Sequence, residues 1–280
     1  MGVCGGVKLP QVDKLVMCLD AGNFKSFVMG NQWKDASNNG HDMWSYDDNV
    51  LQGSGSLSNS TVINSNDYVS TGWSRGIITQ AGGWVGTDNL AGGAPFASGS
   101  NTLGITSSTG ATIHIVRMNT GSAYANAGFK IFKSGDAGGP SRGYFAHITW
   151  SDGKVYFDTN GSTNGGSGGG RVGPTAVLHS AGDWQHWTFT KDTGSSGSNT
   201  QTIYLNGAQV LQRTNAGACP TLSADPMVIG VDETYDGNGN ERHGLFMLFN
   251  TCLTAAEVNK LYRGFAGNAY DIPCGRWVQA

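Results

Sequence analysis

Two short segments of the chain are rich in asparagine and aspartate, whose side-chain oxygens are the ligands that calcium prefers. The segment DGNGNE places Asp236, Asn238 and Asn240 at positions one, three and five, as a calcium-binding loop does. At position six, Glu241 replaces the glycine that permits the sharp turn of such a loop. Together with Asp232, these aspartate and asparagine side chains form the first candidate calcium site.

The second segment, KDASNNGHD, offers Asp35, Asn38 and Asn39 as candidate calcium ligands. A simpler alternative applies to both segments, because Asn and Asp side chains often hydrogen-bond to the backbone of their own turns. We favour that alternative and keep calcium as a hypothesis. A melting temperature that falls on chelation would support a bound ion.

Aromatic side chains in glycine-rich segments could bind sugars, since rings stack on sugar faces and a few polar groups orient the hydroxyls. Trp73 in TGWSRG, Trp84 in AGGWVGTDN and Tyr235 in DETYDGNGN are the rings expected to be exposed. The alternative, which we favour, is that they cover the ends of the fold or contact a neighbouring subunit.

Patterns of catalytic residues are absent from the sequence. Retaining glycoside hydrolysis needs two carboxyl groups roughly 5–5.5 Å apart, which alternate positions of one strand can supply. No predicted strand carries such a pair, and the sequence contains neither HExxH nor GxSxG. The sequence therefore predicts that the protein is not an enzyme.

Charge and cysteine usage exclude several classes of partner. The net charge is −3 and the 17 Lys and Arg residues form no run, which argues against nucleic-acid binding. No apolar segment approaches the ~20 residues of a membrane helix, so we predict no membrane insertion. The 5 cysteines include no CxxC pair and are expected to be free thiols of a protein made in the cytoplasm.

The composition favours β structure, because 44 glycines accompany 10% aromatic and only 13% charged residues. Strands are predicted at residues 15–20, 111–118 and 145–150, the last leading through Ser-Asp-Gly into a hairpin. A second hairpin is predicted at Asn206-Gly207, since both residues tolerate positive φ. Residues 86–104 and 160–173 are expected to be long surface loops.

Alternation in WQHWTFT assigns Trp187 and Phe189 to the core and His186 to the outer face, with Trp184 at the strand entrance. One helix is predicted near the C-terminal end of the sequence. Thr254 and Glu257 have the spacing of a capping box.

The apolar positions of that helix form one face. This face consists of Val258, Leu261 and Tyr262. Leu253 and Val258 have the spacing of a hydrophobic staple at the start of the helix. Gly264 is expected to end the helix. So many short strands with glycine-rich turns predict two packed sheets in one domain.

Four motifs in order resemble a known family: GDWQHWTFT, TIYLNG, PMVIG and HGLFMLFNTCLTAAEVNKLY. They are similar to the laminin G-like branch of the concanavalin A-like lectin/glucanase jelly rolls. The opening segments LVMCLDAGNFKSF and QWKDASNNGHD resemble the start of such domains in tailed-bacteriophage virion proteins. The hairpin WSDGKVYFD also looks like one in that group.

The resemblance implies an all-β, two-sheet antiparallel β-sandwich with one short C-terminal helix and long Gly-rich loops. It implies that the first strand, at 15–20, pairs with the last, at 245–250. Residues 1–12 are expected to be an arm and 13–280 the jelly-roll domain. Relatives that cleave β-glucans carry Glu-x-Asp-x-x-Glu on one strand, which this chain lacks.

The functional expectation is a non-enzymatic structural protein on the surface of a bacteriophage virion, as a capsid decoration, tail fibre or tail-associated component. Its expected partners are other virion proteins and copies of itself, with host glycans as a further class. Calcium, which the family often holds at a rim of the sandwich, is the one cofactor suggested. The alternative is a lectin module whose main role is carbohydrate binding.

Overall fold

The computed structural model describes residues 9–20, 26, 32–37, 39–47, 77–79, 83–86, 103–119, 128–133, 141–150, 152–159, 170–176, 182–193, 199–214, 219–220, 222, 227–229 and 241–266. Among these residues no helix has the length and apolar character needed to cross a membrane. The described elements are strands, one α-helix and a 3-10 turn at Val12–Lys14.

The strands in chain order are β1 (Leu15–Asp20), β2 (Gln32–Trp33), β3 (Met43–Asp47), β4 (Ile77–Thr79), β5 (Gly83–Gly86), β6 (Ala111–Asn119), β7 (Gly128–Lys133), β8 (Ser141–His147), β9 (Tyr156–Thr159), β10 (Arg171–Val172), β11 (Trp184–Lys191), β12 (Gln201–Leu205), β13 (Ala208–Arg213), β14 (Met227–Ile229) and β15 (Glu241–Phe249). The helix, α1, spans Ala255–Ala266.

These strands form two antiparallel sheets, which confirms the predicted β-sandwich. The first sheet has the order β1-β15-β6-β11-β12-β13, with β4 also paired to β15. The second sheet has the order β10-β9-β8-β7-β14-β5-β3-β2. The predicted pairing of the first strand with the last is confirmed, since Cys18 lies opposite Met247 and Asp20 opposite Leu245.

Aromatic side chains from both sheets fill the space between them. Trp187 and Phe189 are fully buried there, as the alternation predicted. Phe129 of β7 contacts Phe189 of β11 edge-on, with ring centroids 5.5 Å apart, and Phe246 of β15 at 5.9 Å. Such edge-to-face contacts add to the stabilisation from apolar burial.

A second apolar layer lies on the outer face of the first sheet, beneath α1. Val258, Leu261 and Phe265 of α1 are buried against the sheet. His186 occupies this outer face, as predicted, and α1 buries it beside Tyr262, with ring centroids 5.1 Å apart.

Both predicted hairpins are present. Asn206 and Gly207 adopt φ of 49° and 77°, and Leu205 pairs directly with Ala208 across the turn. In the other hairpin β8 ends at His147, so the prediction that its strand continues to residue 150 is wrong. Trp150 belongs to the turn, where its carbonyl accepts a 2.8 Å hydrogen bond from the amide of Gly153.

The predicted capping box is confirmed at the start of α1. The Glu257 carboxylate accepts a 2.8 Å hydrogen bond from the Thr254 amide, and the Glu257 amide donates to the Thr254 hydroxyl at 3.3 Å. The predicted end at Gly264 is wrong, because the helix continues to Ala266. The buried ring of Phe265 packs under this last turn and outweighs the poor helix propensity of Gly264.

Candidate binding site at the edge of the sandwich

Most of the predicted site residues lie outside the part of the chain that the structure describes. Those outside it are Trp73, Tyr235, Asp232, Asp236, Asn238, Asn240 and Asn38. Trp84 lies in β5, opposite Tyr46 of β3 in the interior of the second sheet, and its side chain is not described. The sugar hypothesis at these rings and the calcium hypothesis at 232–240 therefore stay predictions.

Asp35 is described, and its carboxylate organises the loop between β2 and β3. One oxygen, Oδ1, accepts hydrogen bonds from the amides of Cys18 at 2.9 Å and Ser37 at 2.8 Å. The other, Oδ2, accepts from the Ser37 hydroxyl at 2.8 Å and the His41 amide at 3.1 Å. Each oxygen thus already accepts two hydrogen bonds.

The same loop covers the open edge of β1. The Ser37 hydroxyl donates to the Val16 carbonyl at 3.0 Å, and the Asn39 amide group donates to the carbonyls of Leu15 and Val16. Unpaired edge strands invite association with other chains, so covering this edge protects the sheet. We refer to Asp35, Ser37 and Asn39 as the edge cover. These contacts agree with the alternative favoured above for this segment, in which Asn and Asp side chains hydrogen-bond to the backbone.

Within the described residues, no group of three or more His, Cys, Asp or Glu side chains is placed to hold a metal ion. The polar side chains that do come together lie on the outer face of the second sheet, near its β10 edge. They form an ion pair, an aromatic cluster and a cleft that adjoin one another.

The ion pair joins neighbouring strands. Arg171 of β10 lies opposite Asp158 of β9, and its Nε and Nη2 both donate to the Asp158 carboxylate at 2.6 Å. Nε2 of the buried His147 lies 3.8 Å from the same carboxylate. Burial alone would raise the pKa of Asp158, but the hydrogen bonds from Arg171 and the contact with His147 hold it below its ordinary value.

An aromatic cluster adjoins the ion pair and consists of His147, Trp150 and Tyr156. The Trp150 ring meets His147 edge-on at 4.3 Å between centroids and lies 6.4 Å from Tyr156. The Arg171 guanidinium lies 5.0 Å from the centre of the Tyr156 ring, within the range of a cation–π contact. Trp150 and Tyr156 are partly exposed.

Asp152 extends the cluster toward solvent. It accepts a 2.8 Å hydrogen bond from the Tyr156 hydroxyl and one of 3.0 Å from the Lys154 amide. Partial burial of Tyr156, together with this hydrogen bond to Asp152, raises the pKa of Tyr156. The ring is therefore held as a neutral phenol in a fixed orientation.

Beside the cluster, the edges of the two sheets border a cleft of about 240 Å³, the edge cleft. Its described lining consists of Arg171, Val172, Gly173, Pro174, Leu211, Gln212 and Arg213. Arg213 of β13 crosses between the sheets and donates a 2.7 Å hydrogen bond to the Arg171 carbonyl.

Gly173 connects the edge cleft to the aromatic cluster. A Cβ at this position would lie 2.7 Å from Cδ1 of Tyr156, so the backbone approaches the ring more closely than any side chain would allow. Its φ of 144° also disfavours other residues. The ring of Tyr156 thus forms part of one continuous surface with the cleft.

The family model Laminin_G_3, described as concanavalin A-like lectin/glucanases superfamily, matches residues 97–259, more than half of the chain. The chain belongs to this family. The match covers β6 to β15 and the beginning of α1, and it includes the aromatic cluster and the edge cleft. A search of curated protein sequences finds no match.

Solved structures with low sequence identity share the fold of this laminin G-like domain. Domain 4 of AbnA, a GH43 extracellular arabinanase from Geobacillus stearothermophilus, in complex with arabinotriose, is 15% identical with a TM-score of 0.56; the match covers 89% of this chain and 98% of that one. Trypanosoma rangeli sialidase is 10% identical with a TM-score of 0.57, and the match covers 93% of this chain and 34% of that one.

The receptor binding domain of botulinum neurotoxin C/D mosaic serotype is 14% identical with a TM-score of 0.56. Here the match covers 90% of this chain and 52% of the other. The laminin G-like domain thus spans about a third of the sialidase chain and about half of the chain of the neurotoxin receptor binding domain. At such identities the similarity concerns the fold alone, which parts of glycosidases share with receptor-binding domains.

The aromatic cluster was not predicted from the sequence, because the segment WSDGKVYFD was interpreted only as a hairpin. Two signals in that segment were available. Trp150 and Asp152 occupy the turn, where side chains are expected to reach solvent. Tyr156 and Asp158 alternate with Phe157, which places them together on the outer face. Arg171 and Arg213 are distant in sequence, and only the packing of the two sheets brings their edge strands together.

Proposed function

We propose that this laminin G-like domain is a non-enzymatic binding and structural component displayed on the surface of a bacteriophage particle. The observation that carries the binding role is the chemistry of the described site. Partly exposed rings and guanidinium groups border a cleft, which suits recognition of a polar ligand.

The carboxylates of this site are committed to structural contacts, which favours binding over catalysis. Asp158 is fully buried and ion-paired with Arg171, and Asp152 is bonded to Tyr156 and to a backbone amide. A glycosidase would need one carboxyl group free to donate a proton and a second one placed opposite it. The expected result is no turnover of chromogenic arabinosides, sialosides or glucosides by the purified chain.

The particle location is supported by the resemblance of the opening segments to phage virion proteins. Part of that motif forms the edge cover, in which Asp35, Ser37 and Asn39 protect β1. A component repeated many times on one particle needs such protection, because closely spaced copies would otherwise pair through open sheet edges. Its neighbours would be other virion proteins and further copies of itself.

Mass spectrometry of purified phage particles that encode the chain tests this location. We expect the chain in an amount comparable to that of other structural proteins, and antibody labelling of intact particles at their surface. Finding the chain only in the soluble fraction of the lysate, with none on particles, would contradict the proposal.

A carbohydrate-binding lectin module is the second candidate, favoured by the structural neighbour that was solved with arabinotriose. The two candidates differ in what the isolated chain does. A lectin binds glycans as an isolated soluble domain. A purely structural component binds only its neighbouring proteins on the particle. Weak sites repeated on a particle would also gain from effective concentration, so the two roles are compatible.

A further inference from the structure

The aromatic cluster and the edge cleft form a single surface. The proposed binding role does not specify which ligand this surface binds. Trp150 contacts Tyr156, Tyr156 contacts Arg171 and Gly173, and these two residues line the cleft. From this continuity we propose that the surface binds an acidic saccharide. One ring would lie against Trp150 and Tyr156, and a carboxylate-bearing sugar would occupy the cleft.

The aromatic side of the surface is built in advance. Trp150 packs against the buried His147, and Tyr156 is held by its hydrogen bond to Asp152 and by Arg171. Rings fixed in this way lose little conformational freedom when a ligand stacks on them. Each oxygen of the exposed Asp152 carboxylate accepts one of its two hydrogen bonds, from Tyr156 or Lys154, and can accept a further one from a sugar hydroxyl at the rim of this platform.

The cleft favours negative charge. Among its described lining residues only Arg171 and Arg213 carry charge, and both are cationic. The fully buried Asp158 carboxylate pairs with Arg171 and offsets its charge, so Arg213 is the group expected to attract the carboxylate of a ligand. Guanidinium groups match the planar geometry of a carboxylate, and Gln212 adds an exposed amide at the opening.

The size of the cleft limits what it can hold. A volume of about 240 Å³ is smaller than the roughly 300–1,000 Å³ of pockets for drug-sized ligands. It suits one sugar unit, with the chain continuing over the aromatic cluster. The inference rests on the proposed binding role but not on the particle location. The acidic-saccharide assignment and the particle location can therefore fail separately.

Binding of glucuronic-acid-containing oligosaccharides and their glucose counterparts to the full chain tests the inference. We expect the acidic set to bind at least several-fold more tightly at low salt and to lose this advantage as salt rises. Trp150→Ala should weaken binding of both sets about tenfold. Arg213→Gln should weaken the acidic set alone.

Trp184→Ala is the matched control, since Trp184 is a partly exposed indole at the start of β11, packed on the α1 side of the sandwich. It should leave binding unchanged. Thermal melts of each variant confirm folding, and Arg213→Gln keeps the test valid if Trp150→Ala fails to fold.

Two outcomes would overturn the inference: no retention of either oligosaccharide set, or binding that both substitutions leave unchanged. Equal binding of the acidic and neutral sets would overturn the assignment to acidic sugars. None of these results alters the particle location, which depends on the mass spectrometry of virions.

Discussion

A single carboxylate, Asp35, serves three backbone amides, those of Cys18, Ser37 and His41. Replacing it with alanine leaves these donors without their partner, so Asp35→Ala should lower the free energy of unfolding by about 2–4 kcal/mol. Urea unfolding measures the loss. Asp35→Asn, which keeps one acceptor oxygen, should lose less.

The same pair of variants also tests calcium at this segment. If Asp35 is only an organiser of the edge cover, a chelator should leave the melting temperature of the wild-type chain unchanged. A fall on chelation that Asp35→Ala abolishes would contradict the structural role and support a bound ion.

Two buried imidazoles make stability depend on pH. His114 and His186 lie 5.7 Å apart beneath α1, next to Phe265 and Tyr262, and the His114 Nδ1 is 2.8 Å from the Thr188 hydroxyl. Burial lowers the pKa of His186 to about 4, and burial together with the neighbouring His186 lowers that of His114 well below its usual value.

Because these pKa values are lowered in the folded state, the unfolded chain binds protons first as the pH falls. The stabilisation is therefore complete above about pH 6.5; the part due to His186 is lost between there and about pH 4, by a few kcal/mol, and the part due to His114 begins to be lost below the same pH. Urea midpoints at pH 7, 6, 5 and 4 measure the slope. His186→Leu should flatten it, and an unchanged slope in that variant would show that other groups cause the loss.

At the scale of elements, α1 depends on its first turn. The Thr254 hydroxyl accepts from the Glu257 amide, and Glu257 also accepts a 2.8 Å hydrogen bond from the Gln11 side chain. Thr254→Ala should cost about 1 kcal/mol, measured by chemical unfolding. Lys260→Ala, at an exposed position of the same helix, is the control and should cost little. Equal effects of the two substitutions would mean that the cap contributes nothing.

The β12–β13 turn is restricted both by its backbone and by α1. Gly207 has φ of 77°, and a Cβ there would lie 2.9 Å from Cβ and Cδ1 of Tyr262. Gly207→Ala should therefore destabilise by more than the ~1 kcal/mol expected from backbone strain alone. Asn206→Gly relieves the positive φ but removes the Oδ1 that accepts a 3.0 Å hydrogen bond from the His186 amide, so it should cost about 1 kcal/mol. A thermal shift assay compares them.

The sequence predicted turns and helix caps well where the residues that form them are close in sequence. The Asn206-Gly207 turn and the Thr254–Glu257 cap each depend on residues within four positions, and both are confirmed. The ends of elements were predicted less well. Helix α1 passes Gly264 because Phe265 packs on a sheet formed by distant residues, an interaction that no local window contains.

At the scale of the molecule, the order of motifs was enough to predict the sandwich and the β1–β15 pairing. The second apolar layer could have been read from β15, where Leu245, Met247 and Phe249 alternate with Phe246 and Leu248, so that both faces are apolar. The edge cleft was beyond sequence reasoning, because β10 and β13 belong to different sheets.

Packing between the sheets should make the sandwich unfold as one unit. Phe129 joins the second sheet to β11 and β15 of the first, and truncating it would leave a cavity among rings from both. Phe129→Ala should lower the free energy of unfolding by about 3–5 kcal/mol, and Phe129→Leu by less because it refills part of the space. Far-UV circular dichroism and tryptophan fluorescence should still report one coincident transition in each variant. If the two signals separate in Phe129→Ala, the remaining contacts between the sheets do not couple them, which would contradict unfolding of the sandwich as one unit.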